Sequence, residues 1–215
     1  MKWNVPNILT MIRMFLTPVV VVLFLVNIPN GIGVFTALGL YILACLTDFL
    51  DGYIARKYNQ ITDFGKFMDQ IADKAITTSA MILVLLATRN VTVTWLAVTI
   101  VLIVVLRDTV ISGIRMVAAN KNIVIAADIF GKVKSFFLDI ASMVLMLYVG
   151  LAACLSGGES AKIGAMPIEY IRCFGLALMV VGTILAVVSL VNYSVKAIKS
   201  LKELENKKER EKIEG

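Results

Sequence analysis

Long apolar runs separated by short clusters of charge organise this chain. Asp, Glu, Lys and Arg are absent from residues 14–47, 75–88, 90–106, 140–158 and 173–195. A helix that crosses a bilayer needs about 20 mostly apolar residues, and a Pro29-Asn30-Gly31 turn divides the longest run into two segments. The pattern predicts six spanning helices, at residues 8–28, 34–56, 63–88, 92–114, 131–155 and 168–193.

The composition favours a membrane protein over a soluble one. Of the 215 residues, 59% are hydrophobic and 17% are charged, and the mean hydropathy is +0.87. Soluble domains average about 45–50% apolar residues. We therefore predict an all-α fold, an integral membrane bundle of six transmembrane helices with an N-terminal interfacial segment before Pro18 and a charged C-terminal helix. Residues 1–195 are expected to form the membrane domain and residues 196–215 a charged cytoplasmic tail.

The distribution of basic residues predicts the orientation. All but three of the 21 lysines and arginines fall on the side of the two termini, the exceptions being Arg89, Lys162 and Arg172. Because cytoplasmic segments are enriched in Lys and Arg, we expect both termini in the cytoplasm and the protein in the inner (plasma) membrane. The net charge of +6 then reflects topology and anionic lipid headgroups, so no nucleic acid partner is expected.

Four aspartates flank the connection between the second and third predicted spans. Asp48 and Asp51 share one helix face, and Asp69 and Asp73 share another, because their spacings are three and four residues. The short connection predicts that these helices are antiparallel neighbours facing each other. Carboxylates crowded at a membrane boundary repel one another and are unfavourable there unless cations compensate them.

The rest of the composition restricts which cation this site would bind. The chain has no histidine, and its three cysteines follow no metal-binding spacing. Oxygen ligands alone favour Mg²⁺, Mn²⁺ or Ca²⁺ over zinc, and four carboxylates can hold two ions. The structural alternative is that the same aspartates form salt bridges with neighbouring Lys and Arg. Gly52, Ala55 and Gly65 favour a ligand, because small residues let it approach the backbone closely.

The pattern D-x2-D-G-x2-A-R-x8-G-x3-D-x3-D resembles that of the CDP-alcohol phosphatidyltransferases. Its fixed positions are matched by Asp48, Asp51, Gly52, Ala55, Arg56, Gly65, Asp69 and Asp73. The resemblance implies a six-helix membrane enzyme, usually a homodimer, that transfers a phosphatidyl group from a CDP-linked lipid to an alcohol and releases CMP. It also implies that the four aspartates bind two divalent cations, Mg²⁺ or Mn²⁺. Asp69 and Asp73 would then be catalytic, with Asp73 as the general base.

An N-terminal group of polar residues extends this resemblance. Asn7, Thr10 and Arg13 lie three residues apart and are similar to the family's N-terminal segment, which implies contacts with cytidine and diphosphate. Helix capping by Asn7 and a snorkelling Arg13 are the structural alternative. The expected CDP-lipid site comprises Asn7, Thr10, Arg13, Asp48, Asp51, Gly52, Ala55, Arg56 and Gly65.

A basic cluster, Arg107, Arg115, Lys132 and Lys134, follows the fourth span and opens the fifth. Anchoring at the cytoplasmic face explains any one of these residues. Together they are expected to form a pocket for the phosphate of an anionic acceptor. Their segments resemble bacterial phosphatidylglycerophosphate synthases, which implies CDP-diacylglycerol as the donor and sn-glycerol 3-phosphate as the acceptor.

Other functions remain open at this point. Within the same family the acceptor could be inositol phosphate, phosphatidylglycerol or serine, although serine has no need of the basic cluster. Mg²⁺-dependent intramembrane prenyltransferases also use aspartate-rich motifs, but without this Gly and Ala-Arg spacing. An ion transporter or channel would place its carboxylates nearer the middle of the membrane. Release of CMP from CDP-diacylglycerol distinguishes the phosphatidyltransferases from the last two classes.

Overall fold

The computed structural model describes residues 5–26, 28–57, 63–87, 91–120, 129–155 and 161–214. These residues form helices α1 (Val5–Leu25), α2 (Ile32–Lys57), α3 (Asp63–Ala87), α4 (Val91–Asn120), α5 (Ile129–Leu155) and α6 (Ala161–Glu214). No strand occurs among them, and six helices are long and apolar enough to cross a membrane. The predicted all-α membrane bundle is therefore confirmed.

Helix α1 continues through Pro18 without a break. A proline removes one backbone hydrogen bond, but spanning helices tolerate this when neighbouring helices and hydroxyl groups satisfy the backbone. The Thr17 hydroxyl, directly before the proline, donates to the Arg13 carbonyl oxygen one turn earlier at 3.0 Å. The N-terminal segment thus forms the first turns of the spanning helix, whose apolar part begins at Asn7.

The predicted turn at Pro29-Asn30-Gly31 forms a short 3₁₀ segment that reverses the chain between α1 and α2. Asn30 and Gly31 adopt positive φ angles of 58° and 68°. A Cβ atom at Gly31 would lie 2.6 Å from the carbonyl oxygen of Gly150. Glycine is therefore required at position 31, both for the left-handed backbone and for the contact of this turn with α5.

Helix α1 lies between α2 and α3. Within the described parts of the chain, α2 packs mainly against α1 and α5, and α3 against α1, α4 and α5, with no extensive contact between α2 and α3. The prediction that α2 and α3 face each other directly is therefore wrong. Arg13 of α1 lies between the two helices and forms ion pairs with Asp48 of α2 and Asp69 of α3, which reduces the repulsion between their carboxylates.

Helices α5 and α6 pack closely along their length. Gly175 and Gly182 on α6 leave room for Leu145 and Leu138 of α5, whose side chains would lie 2.8 Å from a Cβ atom at either glycine. Small residues permit this close approach of helices in membrane proteins. The packing fixes α5 against α6, and both helices contribute side chains to the cavity described below.

Helix α6 spans 54 residues and extends past the end of its apolar segment, Ile168–Ser200. No glycine or proline follows Gly182 before the helix ends, so nothing in the sequence interrupts it. The predicted boundary between residues 195 and 196 is a change from apolar to charged residues within one continuous helix. The division into a membrane domain and a cytoplasmic tail stays a prediction.

Candidate active site

A cavity of about 1020 Å³ opens at the end of the bundle where α2 and α4 end and α3 and α5 begin. Helices α2, α3, α4, α5 and α6 line it. Its charged lining includes Asp48, Asp73, Lys74, Arg107, Asp108, Arg115, Lys132, Lys134 and Asp139. The structure thus brings two of the motif aspartates and the whole predicted basic cluster to one cavity.

The acidic cluster consists of Asp48, Asp69 and Asp73, with Arg13 among them. Nη1 of Arg13 donates to Oδ1 of Asp48 at 2.5 Å and to Oδ1 of Asp69 at 3.1 Å. Arg13 is 1% exposed, whereas the two aspartate side chains are 42% and 47% exposed. Two carboxylate oxygens from different helices therefore approach a single cationic atom.

Asp73 lies one turn beyond Asp69 on α3, and its side chain is exposed where it lines the cavity. Its charge interacts with those of Asp48, Asp69 and Arg13. Asp73 therefore belongs to the acidic cluster. In the described part of the chain, however, it lies too far from Arg13 to form an ion pair with it.

The donor set of the acidic cluster fits a hard divalent cation. In the described part of the chain no three ligating side chains already stand at metal-binding distance, because Arg13 occupies the position between Asp48 and Asp69. The available donors are carboxylate oxygens, which Mg²⁺ and Mn²⁺ prefer. The approach of Asp48 and Asp69 to one atom shows that a shared cation is geometrically accessible to both.

The predicted CDP-lipid residues on α1 are buried together. Asn7 is 9% exposed and Thr10 is 3% exposed, on the same helix face as Arg13. Gly65 lies in the first turn of α3. Asp51, Gly52, Ala55 and Arg56 follow Asp48 on α2, but their side chains lie outside the described residues, so their roles stay predictions.

Asp108 organises one half of the basic cluster. Its Oδ1 accepts from Nη1 of Arg107 at 2.8 Å and from Nζ of Lys134 at 2.7 Å. Nη2 of Arg107 also donates to the hydroxyl of Ser189 on α6, at 2.5 Å. Helices α4, α5 and α6 are therefore joined by polar contacts at the cavity wall, and the charges of Arg107 and Lys134 are partly neutralised.

The other half of the basic cluster is open to the cavity. Arg115 and Lys132 are both exposed and form no ion pair with any residue that the structure describes. The Arg115 guanidinium lies over the ring of Tyr193, with its central carbon 5.4 Å from the ring centroid. Tyr193 is 1% exposed, and its hydroxyl has no hydrogen-bond partner among the described residues.

A fourth carboxylate lines the cavity at Asp139 on α5. Its Oδ1 accepts from the Tyr41 hydroxyl at 3.0 Å and from the Thr77 hydroxyl at 3.3 Å. Tyr41 comes from α2 and Thr77 from α3, so Asp139 links both helices that carry motif aspartates to α5.

Comparison with known proteins identifies the family. The family model for CDP-alcohol phosphatidyltransferase matches residues 3–191. The chain belongs to this family. A CDP-diacylglycerol–glycerol-3-phosphate 3-phosphatidyltransferase from Cereibacter sphaeroides is 32% identical over 224 residues, covering 94% of this chain and 99% of that protein. Proteins of the same name from Bacillus subtilis and Rickettsia felis are 34% and 37% identical, over 68% and 67% of this chain and 78% and 75% of their own lengths.

This CDP-alcohol phosphatidyltransferase is therefore a membrane-embedded transferase of phospholipid synthesis. Asp108, Asp139 and Tyr193 are cavity residues that the sequence analysis did not assign to the site. Asp139 could have been predicted from the sequence, because an ionisable residue inside a spanning helix is a functional candidate by default. Tyr193 carried no such signal, since a tyrosine near the end of a spanning helix is common in any membrane protein.

Proposed function

We propose that this enzyme transfers the phosphatidyl group of CDP-diacylglycerol to sn-glycerol 3-phosphate, giving phosphatidylglycerophosphate and CMP. The observation that carries the proposal is the shared cavity. Its carboxylates can bind metal ions, and on the opposite side the basic side chains of Arg115 and Lys132, which have no ion-pair partner in the described residues, can bind a phosphate. The names of the relatives support the same donor and acceptor. The active site and both termini face the cytoplasm, in the inner (plasma) membrane, and the enzyme is a homodimer.

The donor binds at the acidic end of the cavity. Asp48, Asp51, Asp69 and Asp73 hold two divalent cations, Mg²⁺ or Mn²⁺, which when bound neutralise oxygen charge on the diphosphate. Asn7, Thr10, Arg13 and Arg56 hold the cytidine and diphosphate beside Gly52, Ala55 and Gly65. The acyl chains remain in the bilayer, since the site lies at one end of the spanning segments.

The chemistry joins the acceptor hydroxyl to the donor phosphate. The hydroxyl oxygen forms a bond to the β-phosphorus of CDP-diacylglycerol, and the bond from that phosphorus to the oxygen bridging the two phosphates breaks. CMP leaves with the bridging oxygen, and the hydroxyl proton passes to the carboxylate of Asp73, directly or through water. Asp73 suits this role because it is an exposed carboxylate of the acidic cluster that lines the same cavity as the basic cluster.

The acceptor phosphate binds at the basic end. Arg115 and Lys132 supply charge that no described carboxylate neutralises, while Arg107 and Lys134 extend the positive wall. A phosphate monoester, with close to two negative charges, matches these two unpaired cations. Serine carries one carboxylate charge offset by its own ammonium group, and phosphatidylglycerol offers only one negative charge. Inositol phosphate carries the same group as glycerol 3-phosphate and is the second candidate.

The decisive experiment measures CMP release from CDP-diacylglycerol by the purified protein in lipid nanodiscs. The acceptors are glycerol 3-phosphate, inositol phosphate, phosphatidylglycerol and serine, each with Mg²⁺ or Mn²⁺. We expect the highest kcat/KM with glycerol 3-phosphate. Faster turnover with inositol phosphate would select the second candidate, and no CMP release with any acceptor would reject the phosphatidyltransfer proposal for this chain.

A further inference from the structure

Asp139 is an acceptor group that the proposed chemistry does not use. Both hydroxyl groups that hold it, from Tyr41 and Thr77, donate to the same oxygen, Oδ1. No described residue donates to Oδ2, and Asp139 has no ion pair in the described ranges, since Lys134 pairs with Asp108 instead. A carboxylate in a spanning helix is costly without partners, so one anchored oxygen and one open oxygen require an explanation.

The cavity has opposite hydrogen-bonding character at its two ends. At one end, the exposed side chains of Arg115 and Lys132 offer donors. At the other end, Asp73 and Asp139 offer acceptors. A ligand that fills this cavity would contact both ends. That ligand needs an anionic group at one end and hydroxyl groups at the other.

The positions along the helices give the same arrangement. An α-helix rises about 1.5 Å per residue, so Asp139 lies about 10.5 Å farther along α5 than Lys132, one of the two unpaired cations. Thr77, which lies one turn beyond Asp73 on α3, donates to Oδ1 of Asp139 on α5. The two carboxylates are therefore within about one helix turn of each other in depth, and a lysine side chain together with a three-carbon phosphate can span the distance from the basic cluster to them.

We infer that Oδ2 of Asp139 accepts a hydrogen bond from the acceptor hydroxyl adjacent to the one that attacks. Tyr41 and Thr77 hold the carboxylate in place through its other oxygen. The inference rests on the proposed function and adds a chemical requirement to it. The acceptor is a phosphorylated polyol with neighbouring hydroxyl groups, and Asp139 distinguishes it from a phosphorylated simple alcohol.

The test compares two acceptors that differ by that one hydroxyl. Glycerol 3-phosphate carries it, and 3-hydroxypropyl phosphate lacks it but keeps the terminal hydroxyl and the phosphate. CMP release is measured with both for the wild type, Asp139→Ala, Asp139→Asn and Tyr41→Phe. Ser142→Ala is the matched control, because Ser142 lies on the same helix, is buried and bonds only to the Leu138 carbonyl oxygen.

A hydrogen bond to a charged group predicts that the wild type prefers glycerol 3-phosphate by roughly 10- to 100-fold in kcat/KM. Asp139→Ala should bring this ratio close to one, mainly by raising KM for glycerol 3-phosphate. Asp139→Asn should reduce it, since its amide oxygen is a weaker acceptor. Tyr41→Phe should reduce it less, and Ser142→Ala should leave it unchanged.

Failure of the inference and failure of the proposed function give different results. If the wild type releases no CMP with glycerol 3-phosphate, the proposed acceptor is wrong. If it does release CMP but either shows no preference or keeps its preference in Asp139→Ala, the inference alone is overturned. If the alanine variant does not fold, the same comparison with Asp139→Asn decides, and equal losses with both acceptors would make Asp139 a structural link only.

Discussion

The acidic and basic clusters are built alike, each around one residue of opposite charge. Arg13, which is buried, contacts Asp48 and Asp69 in the acidic cluster. Asp108 contacts Arg107 and Lys134 in the basic cluster. In both places the opposite charge permits like charges to approach each other near the membrane, where their repulsion would otherwise separate them.

The two clusters differ in how accessible the paired residues are. The side chains of Asp48 and Asp69 are 42% and 47% exposed, whereas those of Arg107 and Lys134 are 11% and 4% exposed. A carboxylate in contact with solvent can accept another cation in place of Arg13 if the buried Arg13 charge pairs instead with an anionic ligand, such as the proposed donor diphosphate. A buried pair cannot separate without leaving a desolvated charge. The acidic cluster is therefore suited to exchangeable ligands, and the Asp108 pairs are suited to a fixed wall.

Removal of divalent cations should have the largest effect. If the acidic cluster exchanges its partners for Mg²⁺ or Mn²⁺, EDTA should reduce CMP release to background, and added Mg²⁺ or Mn²⁺ should restore it. Elution from a size-exclusion column is the control, since the fold should survive chelation. Full activity in EDTA would remove the metal role of the aspartates.

Replacement of Asp73 by Asn tests the proton acceptor within the acidic cluster. We expect kcat to fall by about 10²- to 10⁴-fold, because an amide cannot take the hydroxyl proton. Glu169→Gln is the matched control, since Glu169 pairs with Arg172 near the opposite end of the bundle. A variant that keeps nearly the wild-type kcat would exclude Asp73 as the base.

Asp108→Asn tests whether the basic cluster is a fixed wall. The variant leaves Lys134 buried without a carboxylate, which should lower the free energy of unfolding by about 1–3 kcal/mol. The exposed Glu169–Arg172 pair should be worth about 0–1 kcal/mol, so Glu169→Gln again serves as the comparison. Thermal unfolding in detergent measures both. Equal unfolding temperatures for the two variants would contradict the interpretation of the Asp108 pairs as a fixed wall.

The sequence predicted the helices well because the bilayer imposes their length. Each predicted span matches a helix that the structure describes, although α4 extends to Asn120, beyond the predicted residue 114. The neighbours of each helix were harder to predict, since apolar faces in lipid carry little information about which helix they contact. Where α1 lies between α2 and α3, Arg13 contacts Asp48 and Asp69, which are 35 and 56 residues away in the sequence.

The same limit explains which cavity residues the sequence predicted and which it did not. The aspartates of α2 and α3 were predicted because they are close in sequence and follow helical spacing. Asp139 and Asp108 gain their roles from contacts over long separations: Tyr41 lies 98 residues from Asp139, and Lys134 lies 26 residues from Asp108. Pairing with Asp108 also divides the basic cluster into two paired side chains, Arg107 and Lys134, and two unpaired ones. Residue type alone does not show which side chains are paired.

Arg115→Ala tests the open half of the basic cluster and should have the smallest of these effects. The loss of one charged hydrogen-bond donor should raise KM for glycerol 3-phosphate about tenfold, with KM for CDP-diacylglycerol nearly unchanged. Arg115→Lys should recover part of the affinity, because it keeps the charge but loses the planar donor pair. Steady-state kinetics with each substrate varied in turn separates the two constants. A larger rise in KM for the CDP-lipid would place Arg115 on the donor and leave the acceptor phosphate to Lys132.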